Sequence, residues 1–366
     1  MNPAPAPFQA GQAARALVFA LAAALAVRGA PPAFRLPDTA QPLACALELT
    51  IRPDQERFQG LVEIDTLVAR PTDELWLHAS GLTIQDAAFL PQEGGLIPAT
   101  PHLEGEGFLG LALQRPLAAG RGRIRIHYSG PLHRPTSGSR THGLFAEQED
   151  GRWYVYSQFE SISAREAFPC FDEPGFKVPW QVTLRVPTDL VAVATAPEAS
   201  EQIGEDGLKT VRFEPTRPLP CYTLALGVGP FDLMDLGKAG RKGTPLRLIL
   251  PKGHREQAAY AAKALPEILV RLEDHIGMPY PYEKLDSLIS PHQSPRAMEN
   301  AGLLTYAEGF LLLDPGDHLT PSFERKFMGV NLRPLLPTDA EAARVSFNYE
   351  AWNDGDHHKR PGRPGP

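Results

Sequence analysis

The residue with the clearest chemical prospects is a carboxylate, Glu299. It lies in Ser294-Pro295-Arg296-Ala297-Met298-Glu299-Asn300-Ala301-Gly302-Leu303-Leu304-Thr305-Tyr306, a run that breaks at Pro295 and turns apolar and strand-like after Gly302. That pattern puts the acid at the rim of a sheet rather than on a solvated helix face. Alone it carries little weight, because an acid beside an Asn is usually a solvated or capping residue. A second carboxylate, Glu160, stands where an apolar strand runs into a polar corner, Gln158-Phe159-Glu160, a position suited to aiming a side chain into a cleft. Just downstream, Phe168-Pro169-Cys170-Phe171-Asp172-Glu173-Pro174 reads as a rigid loop packed by Phe168 and Phe171 and capped by Asp172.

The elements that must hold these residues are mostly short strands. Apolar or alternating runs at 43–51, 61–68, 75–78, 123–128, 182–186, 190–195 and 223–228 are separated by turn residues. The period of two is clear in Ile124-Arg125-Ile126 and Val182-Thr183-Leu184-Arg185-Val186. An antiparallel β domain follows. A Lys, Arg and Gly run at 237–243 reads as a linker or loop, followed by a strand at 246–250. Residues 254–276 are helical, with Leu265, Ile268, Leu269, Leu272 and Ile276 on one face, Pro266 as a kink or new start, and Gly277 as the stop. A strand at 285–289 then leads into the Glu299 segment, so the second region begins as α+β.

With 366 residues the chain has room for roughly two domains. A net charge of -7 and a pI near 5.9 argue against a nucleic-acid surface, which needs clustered Lys and Arg. Many of the 38 prolines fall at the ends of apolar runs, where they delimit strands without interrupting a ladder. The three cysteines, Cys45, Cys170 and Cys221, cannot form a complete disulfide framework and show no C-x-x-C spacing. They read as buried apolar side chains, with one disulfide plus a free thiol left open. Residues 1–30 read as a signal peptide: Arg15 precedes an apolar run at 16–27 too short to span a bilayer, and Ala24-Leu25-Ala26 offers a cleavage site. The expectation is export to the periplasm or exterior, with no transmembrane span, or a cytoplasmic protein if the signal does not function.

Taken together, these motifs resemble the aminopeptidase N family of zinc metallopeptidases. The resemblance rests on Ala297-Met298-Glu299-Asn300 with Gly302 to Tyr306, on Gln158-Phe159-Glu160, and on Phe168 to Pro174. Arg35-Leu36-Pro37, Leu77-His78-Ala79 and the turn Gly277-Met278-Pro279-Tyr280-Pro281 also fit, so it covers about residues 34–330. It implies a saddle-like, mainly β N-terminal domain at 34–238 and the start of an α+β, thermolysin-like catalytic domain at 239–330. It implies peptide substrates with a free N-terminus, zinc as cofactor, Glu299 and Glu160 as anchors for the substrate ammonium, and Ala297, Met298, Asn300 and Gln158 along the cleft. An anchor of this kind works as a plain anion and needs no shifted pKa. Two positions depart from the family pattern: Arg296 stands where the family has Gly and Ala301 where it has an aromatic, which puts a cation beside the expected ammonium site.

The zinc helix of that family carries His-Glu-x-x-His with a further Glu downstream, and no His in this sequence begins such a motif. The resemblance stops at Asn331. Residues 331–366 read as a disordered or aberrant tail, ascribed to a truncated or frame-shifted product ahead of a divergent one. His357 and His358 do not read as a replacement site, since adjacent side chains diverge and no third ligand is evident. The functional expectation is a zinc aminopeptidase relative that is inactive alone. The competing expectations are a non-catalytic module binding peptide N-termini and an unstable fragment.

Overall fold

Alternation of apolar and polar residues builds the first half of the chain. In the computed structural model, which describes residues 31–313 apart from residues 106, 137, 138 and 295, strand β1 (Ala40–Thr50) turns Cys45, Leu47 and Leu49 inward. Strand β2 (Arg57–Val68) does the same with Val62, Ile64 and Val68. The strands β3 (Thr72–His78), β4 (Thr83–Pro91), β5 (Ile97–Glu104), β6 (Phe108–Leu117) and β7 (Gly120–Pro131) follow through short turns. With β10 (Trp180–Pro187), β12 (Glu198–Ile203) and β13 (Leu208–Phe213) they form a ten-stranded sheet in the order β12-β13-β10-β1-β2-β7-β4-β5-β6-β3. Its pairs are antiparallel except β1 with β10, whose neighbours arrive by a long connection. Gly60 is required in this sheet, because a Cβ there would lie 2.2 Å from the Tyr128 ring that fills the facing space.

A four-stranded antiparallel sheet of β8 (Gly143–Glu149), β9 (Arg152–Gln158), β11 (Val191–Ala194) and β14 (Leu226–Gly229) runs in the order β11-β14-β9-β8. The predicted run at 223–228 is split: 221–223 is a single 3-10 turn, and the strand starts at Leu226. The second region is a mixed sheet, β15-β16-β17-β19-β18, built from β15 (Asp232–Ala239), β16 (Thr244–Leu250), β17 (Leu285–Ser290), β18 (Ala297–Met298) and β19 (Leu303–Ala307). The Lys, Arg and Gly run is the turn of the β15–β16 hairpin rather than a linker, with Gly240 and Gly243 at positive φ.

Helix α1 (Ala259–Ile276) crosses between the parallel strands β16 and β17, and a four-residue helix α2 (Glu308–Leu311) follows β19. Helix α1 starts at Ala259 rather than 254 and runs through Pro266 without a break. Burial of Ile268 against Leu248, Leu250 and Ile289, with Leu265 and Leu272 packed beside it, holds it across the lost backbone donor. Ile276, expected on the buried face, is 62% exposed in the last turn before Gly277 reverses the chain at φ 78°.

The four-stranded and five-stranded sheets share an apolar layer. Phe145 and Tyr156 from the first meet Ile249, Leu288 and Leu303 from the second, with Phe231 between them. That layer fixes β9, which ends at Gln158, relative to β19, which follows the Glu299 segment. The signal segment at 1–30, His318, and the tail with His357 and His358 lie outside the described residues.

Candidate functional site

The Glu299 segment is a tight reversal, and Gly302 makes it possible. Its φ is 70°, and a Cβ would sit 2.4 Å from the carbonyl oxygen of Thr195. Only glycine combines that conformation with that approach. The Gly302 backbone is held on both sides: its N–H donates to Tyr280 Oη at 3.1 Å, and its carbonyl accepts from Asp286 N at 3.0 Å and Lys284 Nζ at 3.2 Å. Beneath it, Asp286 accepts two hydrogen bonds from Arg247 at 2.9 and 2.6 Å and one from Lys284 at 2.7 Å. Burial pushes the Asp286 carboxyl up, but these partners outweigh it and hold it below the usual carboxylate range. Burial lowers Lys284 in spite of the same pairing.

Two short strands then present the motif. Ala297 lies opposite Tyr306 and Met298 opposite Thr305, with Met298 buried and Ala297 half-buried. Glu299 comes immediately after β18 and is exposed at the sheet rim, as its sequence surroundings predict. Its carboxylate acts on Tyr306, whose hydroxyl is pushed up to about 12 by burial and then by the charge of Glu299. Asn300 is buried and donates to Thr305 Oγ1 at 3.4 Å.

The upstream corner meets the same centre from the other sheet. Gln158, at the end of β9, is 2% exposed and accepts a 2.7 Å hydrogen bond from Gln293 Nε2. The same nitrogen donates to Thr305 Oγ1 at 2.9 Å. Gln158, Gln293, Thr305 and Asn300 therefore form one buried chain of hydrogen bonds across the two sheets. One donor, Gln158 Nε2, and one acceptor, Gln293 Oε1, are left without a partner among the described residues. Buried amides are rarely left so. Glu160 follows two residues after Gln158 and is exposed. The supports of Glu160 and Glu299 are thus brought together, while the carboxylates themselves stand free of this network at its edge.

Further bonds clamp the two sheets around this point. Thr141 Oγ1 donates to Ser294 O at 2.8 Å and accepts from Ser294 N at 3.0 Å. Ser290 Oγ donates to Glu147 Oε2 at 3.1 Å, with His292 3.4 Å from the other oxygen. Burial raises the Glu147 carboxyl despite the opposing pull of His292 and Ser290. Gln293, Thr141 and Glu147 were not foreseen from the sequence. Gln293 lies between a strand and the motif with no periodicity to mark it; its only signal is an amide between Pro291 and Pro295 six residues before Glu299. Arg296 is exposed, and its carbonyl accepts from Ala307 N at 2.7 Å, while Ala301 is buried in the main core. The Phe168 to Pro174 loop packs as expected: Phe168 meets Phe159 edge to face at 5.4 Å, and Asp172 accepts from Arg165 at 2.8 Å. All three cysteines are free thiols and buried.

Among the described residues, three groups bring His, Cys, Asp or Glu ligand atoms together: His133 with His142 and Glu166, Cys170 with Asp172 and Cys221, and Glu149 with His254 and Glu308. None includes Glu160 or Glu299, and none has the His-Glu-x-x-His arrangement that an aminopeptidase zinc needs. The described residues do not fit that metal, and no catalytic step is derived through it.

The β region and the strand–helix–strand unit that follows it both match known protein families. The Peptidase M1 N-terminal domain model matches residues 41–223, and the Peptidase family M1 domain model matches residues 260–328. The chain is 32% identical over 283 residues to Aminopeptidase M1-B of Oryza sativa subsp. japonica, covering 76% of this chain and 31% of that protein. It is 30% identical over 289 residues to Glutamyl aminopeptidase of Mus musculus, covering 77% and 30% respectively. It is 30% identical over 289 residues to Aminopeptidase N of Acetobacter pasteurianus, covering 77% of this chain and 78% of that one. The chain belongs to the M1 peptidase family. It spans about a third of the length of the rice and mouse relatives.

Proposed function

We propose that this chain recognises the free N-terminus of a peptide, as the recognition part of a zinc aminopeptidase. Glu160 and Glu299 pair with the ammonium from two sides. Gln158, with Gln293 behind it, stands at the base of the Glu160 corner, and Ala297, Met298 and Asn300 lie along the cleft. The observation that carries this reading is the buried Gln158–Gln293–Thr305–Asn300 chain, which locks the bases of both acids to one centre. Two anions carried at the edge of one rigid support favour a cation between them, because the support limits how far their backbones must be ordered on binding. On this reading the N-terminal run directs export to the periplasm or exterior.

Peptide cleavage of the zinc-peptidase kind uses a metal to activate water, and these 366 residues hold no His-Glu-x-x-His to bind it. This polypeptide alone is therefore expected to bind peptides without zinc-dependent release of their first residue. Fluorescence anisotropy with a labelled peptide tests the binding claim: a free α-amine should bind roughly tenfold tighter than its N-acetyl form, about 1.4 kcal/mol. Equal binding of the two peptides would remove the ammonium from the account.

A further inference from the structure

Away from the peptide site, one cluster combines two imidazoles and a carboxylate on a backbone shaped to bring them together. His133 leaves β7 with its backbone fixed, its N–H donating to Leu144 O at 2.9 Å and its carbonyl accepting from Ala146 N at 2.7 Å. Glu166 sits in the 3-10 turn that follows β9. His142 reaches it from the start of β8, with Nδ1 2.5 Å from Glu166 Oε2, and His133 Nε2 lies 3.3 Å from the same oxygen. The two rings are 4.2 Å apart between centroids.

This approach depends on Gly143. Its φ is 59°, and a Cβ there would lie 3.2 Å from Glu166 Cβ and 3.3 Å from His133 Cδ2. A glycine in the left-handed region thus folds His142 back onto Glu166. His133 Nε2 is also shut off from solvent without a hydrogen bond of proper geometry, although it points at the cluster. A buried imidazole nitrogen held this loosely beside a carboxylate can give its lone pair to a cation that binds both.

We propose that His133, His142 and Glu166 form a binding site for a divalent transition-metal ion of the zinc type, separate from peptide recognition. The three ligand atoms lie within 4.8 Å of one another. Metal–nitrogen and metal–oxygen bonds of about 2.0–2.2 Å in a tetrahedron separate ligand atoms by roughly 3.3–3.5 Å. The His133–Glu166 edge already has that length, and the His142–Glu166 edge needs to open by under about 1 Å. His142 can supply that movement, since its side chain is 44% exposed. Two neutral imidazoles and one carboxylate suit zinc or cobalt better than calcium or magnesium, which prefer all-oxygen shells. A surface cavity of about 230 Å³ is bordered by both histidines and Thr141 and gives an ion or water access to them. Because Thr141 also clasps Ser294, an ion here would stiffen the loop that carries one of the inter-sheet bonds.

The test is calorimetric titration of the full chain, stripped with EDTA, with zinc sulfate near neutral pH. The expected result is one tight zinc per chain, with affinity lowered at least tenfold in both His142→Ala and Glu166→Gln and unchanged in His357→Ala/His358→Ala. Cobalt(II) added to the unaltered chain should give the intense visible band of a four- or five-coordinate ion, a readout that needs no variant to fold. Zinc binding unaffected by His142→Ala and Glu166→Gln, or lost with the tail histidines, would overturn the proposal. A pale six-coordinate cobalt spectrum, or no binding, would leave only a histidine–carboxylate ion pair and overturn it equally.

Discussion

Thr305 does more than its place in an apolar strand announces. Its hydroxyl is fully buried and accepts from Gln293 and Asn300, so one oxygen serves both halves of the network under the rim acids. Thr305→Val keeps the shape and removes the acceptor. It should cost about 1–3 kcal/mol of stability, because a buried amide loses its partner. Chemical denaturation measures this, and Thr305→Ser should recover most of it. A valine variant as stable as the parent would mean that the network carries little. The two acids differ from Thr305 in kind: both are exposed, so their substitution by Gln should leave the fold nearly unchanged and act on ligand alone.

At the scale of elements, the site depends on the reversal between β18 and β19. Gly302→Ala would place a methyl 2.4 Å from the Thr195 carbonyl at φ 70°. The expected loss is at least about 2 kcal/mol, seen as a lower midpoint in denaturant. If the midpoint is unchanged, the reversal is not the constraint described. The strands around this turn were legible in the sequence because apolar alternation and Gly breaks report directly on which face is buried. So was the rim position of Glu299, between Pro295 and Gly302. Gln293 was not, because a partner chosen across two sheets leaves no local trace. The run of α1 through Pro266 was not either, since burial of Ile268, with Leu265 and Leu272 packed beside it, overrides the local penalty. The exposed Ile276 shows the same limit, as helical spacing identifies a face but not the point at which the core ends.

For the molecule as a whole, the joints between sheets hold the fold together. His78, at the end of β3, is bonded through its backbone to Cys170 and accepts the Asp172 N–H on Nδ1 at 3.1 Å. Burial, and then the charge of Arg165, lower its pKa to about 3 from an ordinary 6.5. The unfolded chain therefore binds the extra proton between these values. Stability from neutral His78 is complete above pH 6.5 and is lost as pH falls toward 3, with about 2 kcal/mol gone by pH 5. Melting temperature followed from pH 7 to 5 should fall less steeply in His78→Asn, which keeps an acceptor but does not titrate; parallel curves would refute this origin. The shared layer of Phe145, Tyr156, Ile249, Leu288 and Leu303 is the second joint, and it sets Glu160 and Glu299 relative to each other. The central claim is that acids from two sheets hold one ammonium. It is tested most directly by a double-mutant cycle: affinity for a free-amine peptide in the parent chain, Glu160→Gln, Glu299→Gln and the double variant. Each single change should weaken binding roughly tenfold, about 1.4 kcal/mol, and the double variant should lose clearly less than the sum. Affinity unchanged by either substitution, or losses that simply add, would contradict a shared ammonium site.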